Sequence, residues 1–318
     1  MLASRRSPRE VTCRLAGSAA YESVGAVLTV GVSTKLTSSD YNPTMSLPIL
    51  KTPVESDLIR LFHRMTLHYT QHYGETTQLD VGTAIANPQL PDVYDANVVL
   101  TASLPAGVSP ADAVAEANNH FASLGCVCRA WSMNPSVDVA TTKPLVEYLL
   151  ASGAEPHVND IMYLAKGIPG PIREVGGLKI IPARASFKHA RQLAEVNARE
   201  SGEGQQRVEA TLLHLDDSHW DALLALKDGQ PVAAANVLAV GDAGMIDDVY
   251  VSPEFRRQGI GLTMMSRTLE ICARSLFKHV MLSVRPDNTA AKALYTRLGF
   301  VKIGEFIAYL PGGKPKRI

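Results

Sequence analysis

The sequence predicts an α/β (α+β) protein built from two related units in tandem. Three observations predict this fold: the length of 318 residues against a typical domain of about 150 residues, the alternation of helical and strand-like periodicity, and an internal repeat. In the repeat, Thr142–Gly153 resembles Asn288–Gly299, and an aromatic-aliphatic strand follows each copy.

The domain boundaries follow from composition. Residues 1–44 lack both periodicities and are predicted to be a disordered leader. The first unit is expected over 45–168 and the second over 178–318. The Pro- and Gly-rich residues 169–177 between them are predicted to be a linker.

In the first unit, apolar residues three and four apart from Leu58 to Tyr69 predict a helix that Gly74 ends. Continuous apolar or β-branched runs predict strands, and Ala-rich or Leu-rich segments predict helices. The remaining elements are expected as strand 98–100, helix 110–121, strand 126–133, helix 145–151 and strand 162–164.

In the second unit, Asp228–Gly229 between two apolar runs is typical of a strand hairpin, and Gly299 ends a helix. The elements are expected in this order: strand 178–181, helix 186–197, strands 220–226, 232–240 and 245–251, helix 259–275, strand 279–284, helix 289–298 and strand 303–310.

Charge and cysteine content exclude some function classes. The 31 basic and 31 acidic residues cancel, so we expect no nucleic-acid partner and no binding to an anionic membrane surface. No apolar run approaches the ~18 residues that a membrane span needs. Four cysteines in a chain this long do not make a disulfide scaffold, which favours a reducing, cytoplasmic location.

One segment indicates chemistry. Ile246–Val251 is a strand, and a short loop leads from it to Arg256-x-x-Gly259-x-Gly261, which opens an apolar helix. A helix N-terminus carries unpaired N–H groups and partial positive charge, and glycines let the backbone approach a phosphate closely. The pattern predicts a pyrophosphate site, although it matches neither a P-loop nor a dinucleotide-binding turn.

A second segment, Leu282–Phe300, contains Asn288-x-x-Ala-x-x-Leu-Tyr295-x-x-Leu-Gly-Phe300. Together and in this order, the two segments resemble the two motifs of the GNAT superfamily of acetyl-CoA-dependent N-acetyltransferases over about residues 178–310. The resemblance implies a mixed, mostly antiparallel sheet flanked by helices. It also implies a splayed parallel strand pair, which opens a slot for acetyl-CoA as the acyl donor, with no metal required.

The resemblance also implies roles for particular residues. The strand backbone would pair with the pantetheine amides, the loop N–H groups would hold the pyrophosphate, and Asn288 would contact the pantetheine or orient its helix. The implied cofactor residues are Val249, Tyr250, Val251, Arg256, Arg257, Gln258, Gly259, Ile260, Gly261, Leu262 and Asn288. Tyr295 would donate a proton to the departing thiolate, since a phenol keeps its proton at neutral pH.

The attacking amine must lose a proton, and Asp247 and Asp248 lie on the motif strand. Strand alternation sends their side chains to opposite faces, so only one is expected to face the reaction centre. Asp248, which shares a face with Tyr250, is the predicted base; an amine anchor or a water chain are the alternatives.

The first unit lacks the glycine motif after its strand at 98–100 and is interpreted as a degenerate copy that shapes the substrate side. His68 and His72 would share a helix face, but the sequence shows no third ligand near them, so no metal site is expected.

The predicted function is transfer of an acetyl group from acetyl-CoA to a primary amine by direct attack on the thioester. The alternatives are a non-catalytic acetyl-CoA sensor and, among enzymes, a protein N-terminal acetyltransferase of the ribosomal-protein type. The sequence does not fix the acceptor, the acyl length or the oligomeric state.

Overall fold

The computed structural model describes residues 53–166 and 175–312. The predicted leader and most of the predicted linker lie outside these residues. The helices are α1 (Glu55–Gln71), α2 (Pro110–Ser123), α3 (Val139–Ala151), α4 (Phe187–Ser201), α5 (Gln205–Leu213), α6 (Ile260–Arg274) and α7 (Thr289–Arg297). The strands are β1 (Glu75–Leu79), β2 (Gly82–Ala86), β3 (Val98–Ala102), β4 (Ala130–Met133), β5 (Glu155–Leu164), β6 (Leu178–Pro182), β7 (Trp220–Lys227), β8 (Gln230–Val240), β9 (Ala243–Val251), β10 (His279–Val284) and β11 (Phe300–Leu310).

The predicted helices and strands are present, but several bounds differ: α3 begins at Val139 instead of residue 145, and β5 at Glu155 instead of residue 162. The hairpin β1–β2 and helix α5 were not predicted from the sequence. The predicted strand 126–133 begins only at Ala130, because Gly125 turns the chain with φ +76° and the N–H of Cys126 bonds back to the carbonyl of Phe121. Cys126 and Cys128 are buried free thiols.

The eleven strands of the described residues form one sheet in the order β1-β2-β3-β4-β11-β5-β10-β9-β8-β7-β6. Two neighbouring pairs are parallel, β3 with β4 and β9 with β10, and the other pairs are antiparallel. The predicted mixed, mostly antiparallel sheet with parallel pairs and flanking helices is therefore confirmed.

The two halves of the chain share this sheet because they exchange strands. β5, from the first half, lies between β11 and β10, and β11, from the second half, lies between β4 and β5. β5 and β11 pair along their length, from Leu164 opposite Phe300 to Glu155 opposite Leu310. β5 therefore lies at the centre of the sheet, while β6, the next strand in the chain, lies at its edge.

Buried groups join the halves at this exchange. The carboxylate of Asp160 on β5, 1% exposed, lies 2.7 Å from the ammonium of Lys302 on β11 and also contacts Lys292 on α7. These two lysines hold the pKa of Asp160 below its ordinary value, although burial acts in the opposite direction. The second half therefore supplies the counter-charges for a buried carboxylate of the first half.

The helices cover both faces of the sheet. On one face, α6 and α7 pack through Met265 and Leu298 against β9 and β10. On the other face, α1 packs through Phe62 and Met65 across β8 and β11. Helix α1 belongs to the first half in sequence but covers strands of the second.

Candidate active site

The parallel pair β9–β10 opens where the sequence predicts a slot. The two strands pair from Ala243 opposite His279 only as far as Ile246 opposite Leu282, while β9 continues to Val251. On its other side β9 stays paired with β8, with Val251 opposite Ala233. The edge of Val249, Tyr250 and Val251 that faces the gap is therefore not paired with β10.

The N-terminus of α6 lies beside this gap. Its N-cap, Gly259, has φ +85° and provides no side-chain cap, so the N–H groups of the first turn remain open to a ligand. A Cβ on Gly261 would lie 3.7 Å from Val251 and 3.8 Å from Leu294, so the helix begins close to both β9 and α7. Ile260 is buried and Leu262 half-buried beneath this turn.

The loop before α6 carries its charge on two arginines with different surroundings. Arg256 donates to the carbonyl of Val251 at 2.9 Å and to the carboxylate of Glu200 on α4 at 2.7 Å. The hydroxyl of Tyr250 donates to the same carboxylate at 2.9 Å. Arg257 is exposed and has φ +62°. Arg256 is therefore tied to α4 in this state.

Gln258 is exposed, and its side-chain carbonyl accepts a hydrogen bond from Lys227 at 2.9 Å. Asn288 is the N-cap of α7, and its side chain accepts from the N–H of Ala291 at 3.2 Å. Two roles were predicted for Asn288. This contact is consistent with one of them, the orientation of the helix of the second motif.

Tyr295 lies on α7, 6% exposed, with its ring 6.1 Å from that of Phe300. Burial, followed by the charge of Asp247, raises the pKa of Tyr295 to about 12. The phenol therefore stays protonated across the physiological pH range, and Asp247 lies within its electrostatic reach.

A cavity of about 360 Å³ opens on the face of the sheet that carries α1. Its walls come from both halves: α1, β3, β4 and β5 from the first, and α4, α5, β9, β10 and β11 from the second. The polar side chains that line it include Tyr69, Tyr73, Tyr94, Asp95, Ser132, His157, Asn159, Glu203, Arg207, Asp247, Asp248, Ser283 and Arg285.

Asp247 and Asp248 both line this cavity, which corrects the prediction that only one of them can. The alternation fails because β9 bulges: Asp247 pairs with Asn236 but Tyr250 pairs with Ala234, which leaves two residues of β9 opposite one of β8. Asp248 adopts φ +48° at the bulge. Its carboxylate also lies 3.5 Å from the side-chain amide of Asn236.

The charge of Asp248 raises the proton affinity of Asp247. Burial and the charge of Asp248 raise the pKa of Asp247 to about 8, and burial raises the pKa of Asp248. The buried cation beside them, Arg207, is already engaged, since it lies 3.0 Å from the carboxylate of Asp95 and 3.2 Å from that of Glu203. The cavity therefore holds one carboxyl whose pKa lies near neutrality.

The phenols of the cavity are neutral hydrogen-bond donors. Burial raises the pKa of Tyr69 and Tyr73, while the charge of Asp95, followed by burial, raises that of Tyr94. Sequence reasoning did not identify these residues or Arg207. Their only sequence signal is Tyr69 and Tyr73 at helical spacing, which is more typical of a packed core.

The first half contains a parallel pair of its own, but not the open helix end. The register between β3 and β4 changes around Thr101, which has φ +52°. The bulge in β9 has the same feature, since Asp248 there also has a positive φ. The helix that follows, α2, is capped by Ser109, whose hydroxyl accepts from the N–H of Asp112 at 3.1 Å. The end of α2 is thus satisfied within the chain, unlike the end of α6.

Comparison with known proteins agrees with this geometry. The sequence model of the acetyltransferase (GNAT) family matches residues 189–300, which run from α4 to the start of β11 and include the gap, the α6 turn and Tyr295. Residues 189–300 are a GNAT acetyltransferase domain. Acetyltransferases of this family use acetyl-CoA as the acyl donor.

Two curated relatives match parts of the GNAT domain. The ribosomal protein bS18-alanine N-acetyltransferase of Escherichia coli K12 is 31% identical over 74 residues, which are 23% of this chain and 50% of the relative. N-acetyltransferase family 8 member 3 of Rattus norvegicus is 35% identical over 96 residues, which are 28% of this chain and 42% of the relative. The chain thus spans about half the length of the curated relatives it matches.

A solved structure shares the fold of both halves. A GCN5-related N-acetyltransferase from Kribbella flavida superposes with a TM-score of 0.57 at 17% identity and covers 80% of this chain and 96% of its own. At this identity the likeness concerns the fold alone. Within the described residues, no helix has the length and apolar character that a membrane span needs.

Proposed function

We propose that this protein transfers an acetyl group from acetyl-CoA to the primary amine of a small molecule by direct attack on the thioester. One observation carries the proposal: strand β9 presents two carboxyl groups to an internal cavity and, within the next three residues, a backbone edge that is not paired with β10, beside the open end of α6. An acceptor in the cavity and a donor in the gap would meet at β9.

On the donor side, the edge at Val249–Val251 would pair with the pantetheine amides, and the N–H groups of residues 257–262 would hold the pyrophosphate. The uncapped Gly259 and the close approach at Gly261 fit such a group. When bound, acetyl-CoA supplies an acyl carbon with a thiolate leaving group. Residues 178–318 supply this side, and we assign 45–168 to the acceptor.

On the acceptor side, Asp247 would take the proton that the ammonium form of the substrate must lose before attack. A general base works best with a pKa near the working pH, which the value of about 8 approaches. Asp248 would keep the pKa of Asp247 high rather than act as the base itself.

Tyr295 would give its proton to the thiolate as the carbon–sulfur bond breaks and the amide forms. Its raised pKa keeps the proton on the phenol until charge develops on the sulfur. The charge of Asp247 raises the pKa of Tyr295. Transfer of the amine proton to Asp247 would remove this charge, and Tyr295 would then give its proton to the thiolate more easily.

The cavity favours a small acceptor. Its volume lies within the ~300–1,000 Å³ of small-molecule sites, and α1, α4 and α5 wall it from the side opposite the sheet. A protein N-terminus, which the bacterial relative acetylates according to its name, is the second candidate. The only support for this second candidate is the sequence match within the GNAT domain.

The test follows thiol release from acetyl-CoA in the presence of small primary amines and of short peptides with free N-termini. We expect turnover with one or more small amines, and loss of turnover in Asp247→Asn with acetyl-CoA binding retained. Turnover with peptides only would replace the small-molecule acceptor. Tight acetyl-CoA binding without turnover on any amine would favour the sensor.

A cytoplasmic location stays a prediction from cysteine usage, and the three described cysteines are free thiols. The absence of a nucleic-acid or membrane partner likewise remains a prediction from the balanced charge.

A further inference from the structure

A second cluster of chemistry-bearing side chains lies outside the cavity, at the start of β7. His68 on α1 meets Asp217 and His219, which lie in the turn before Trp220. One potential ligand atom of each of these three residues lies within 4.8 Å of the others. No third ligand for His68 could be found from the sequence, because 149 positions separate it from Asp217 and only the packing of α1 brings them together.

Within the cluster, the carboxylate of Asp217 has one satisfied oxygen. Its Oδ1 accepts from the backbone N–H of His219 at 2.8 Å and lies 3.1 Å from the ring Nδ1 of the same residue. The rings of His68 and His219 meet edge to face, with their centroids 4.9 Å apart. Two imidazoles and a carboxylate thus converge from two separate elements.

The second oxygen of Asp217 points to a ligand. Oδ2 is buried, in a side chain that is 7% exposed, and has no hydrogen-bond partner among the described residues. The nearest ring nitrogen, Nδ1 of His72, lies 4.0 Å away, beyond hydrogen-bond distance. The other nitrogen of that ring, Nε2, donates to the carbonyl of Leu213 at 3.0 Å. A buried carboxylate oxygen without a hydrogen-bond partner is costly unless a cation satisfies it.

We propose that His68, Asp217 and His219 bind one divalent transition-metal ion, with Zn²⁺ as the best-suited ion. Two imidazoles and one carboxylate, with a remaining position for water, form a common zinc ligand set, whereas Mg²⁺ and Ca²⁺ require mostly oxygen ligands. A zinc ion with ligands at about 2.0–2.2 Å draws them closer together than 4.8 Å. His219, whose side chain is 55% exposed, has room for the required rotation.

The ion would act as a brace. It would join α1, which carries Tyr69 of the cavity and ends two residues before Tyr73, to the turn that starts β7. Between the cluster and the cavity lies the buried ring of His214, stacked on Tyr69 with centroids 4.2 Å apart. The proposal is independent of the acetyltransferase function, because it concerns metal binding and the position of α1.

The test titrates Zn²⁺ into the full chain without an affinity tag, by calorimetry, and follows the visible absorption of Co²⁺ in place of Zn²⁺. We expect one ion per chain and at least tenfold weaker binding in His68→Ala and in Asp217→Asn. His120→Ala removes a half-buried histidine from α2 and is the matched control, expected to bind as the wild type does. Mg²⁺ should not compete.

Thermal unfolding gives a second readout, because an ion that binds only the native state raises its melting temperature. Zn²⁺ should raise the melting temperature of the wild type and of His120→Ala but not that of His68→Ala. No stoichiometric binding by the wild type, or binding that His68→Ala leaves unchanged, overturns the proposal. If Asp217→Asn does not fold, His68→Ala decides, because alanine suits its helical position.

Discussion

Replacement of Asp248 by Asn is expected to move the acid limb of the pH–rate profile to lower pH. In the wild type, burial and the charge of Asp248 raise the pKa of Asp247 to about 8, so at pH 7 only about one tenth of the protein carries the ionised carboxylate. Asn keeps the size of the side chain and removes the charge. Each pKa unit recovered at Asp247 then increases the ionised fraction at pH 7 by up to about tenfold.

The measurement is kcat/KM for thiol release over about pH 5.5–9.5, with two acceptor amines whose own pKa values differ. The acid limb should shift to lower pH in Asp248→Asn. It should be lost in Asp247→Asn, and this control tests whether the limb originates from Asp247. A limb that stays in place in Asp248→Asn and follows the pKa of the amine would refute the reasoning. The proton would then leave the amine before binding, without Asp247.

The raised pKa of Asp247 also predicts how the free energy of unfolding depends on pH. The native state holds a proton on Asp247 up to about pH 8, whereas the unfolded chain releases it near 3.8. Between these values the native state binds more protons, so the free energy of unfolding should fall as pH rises. Denaturant titrations across this range should show a weaker fall in Asp247→Asn, and an equal fall in both proteins would contradict the raised pKa.

Three further changes test the donor side. Tyr295→Phe should lower kcat by about 10²–10⁴-fold with unchanged acetyl-CoA affinity, and a kcat within about threefold of the wild type would mean that water protonates the thiolate. Gly259→Glu places a like charge at the pyrophosphate and should weaken acetyl-CoA binding by calorimetry more than tenfold, whereas Gly241→Glu, at an open turn with φ +60°, should not change it. Glu200→Gln should strengthen acetyl-CoA binding because it releases Arg256 from its ion pair, and unchanged or weaker binding would show that Arg256 does not contribute to the donor site.

The local geometry of the proposed donor side could be predicted from sequence because its determinants are local. The glycines of the α6 turn and the Asn288–Tyr295 helix lie in short segments whose spacing alone fixes their geometry. The family match over residues 189–300 covers the same segments. Apart from α5, the helices and strands of the second half follow their hydrophobic periodicity for the same reason.

The acceptor side could not be predicted because its determinants are tertiary. The bulge that turns both Asp247 and Asp248 to the cavity depends on the register of β9 against β8. The short strand β2 is buried along its whole length and shows no alternation in sequence, so only its pairing with β1 and β3 makes it a strand. Arg207 reaches Asp95 across 112 positions of sequence.

The exchange of β5 and β11 constrains how this chain is made in the cell. During synthesis the first half emerges from the ribosome while β4 and β5 still lack the strand that separates them, because β11 ends at Leu310. Unpaired strand edges are templates for association with other chains. We therefore expect nascent or truncated chains that lack β11 to depend on chaperones, and the sheet to close only after the last strand has been translated.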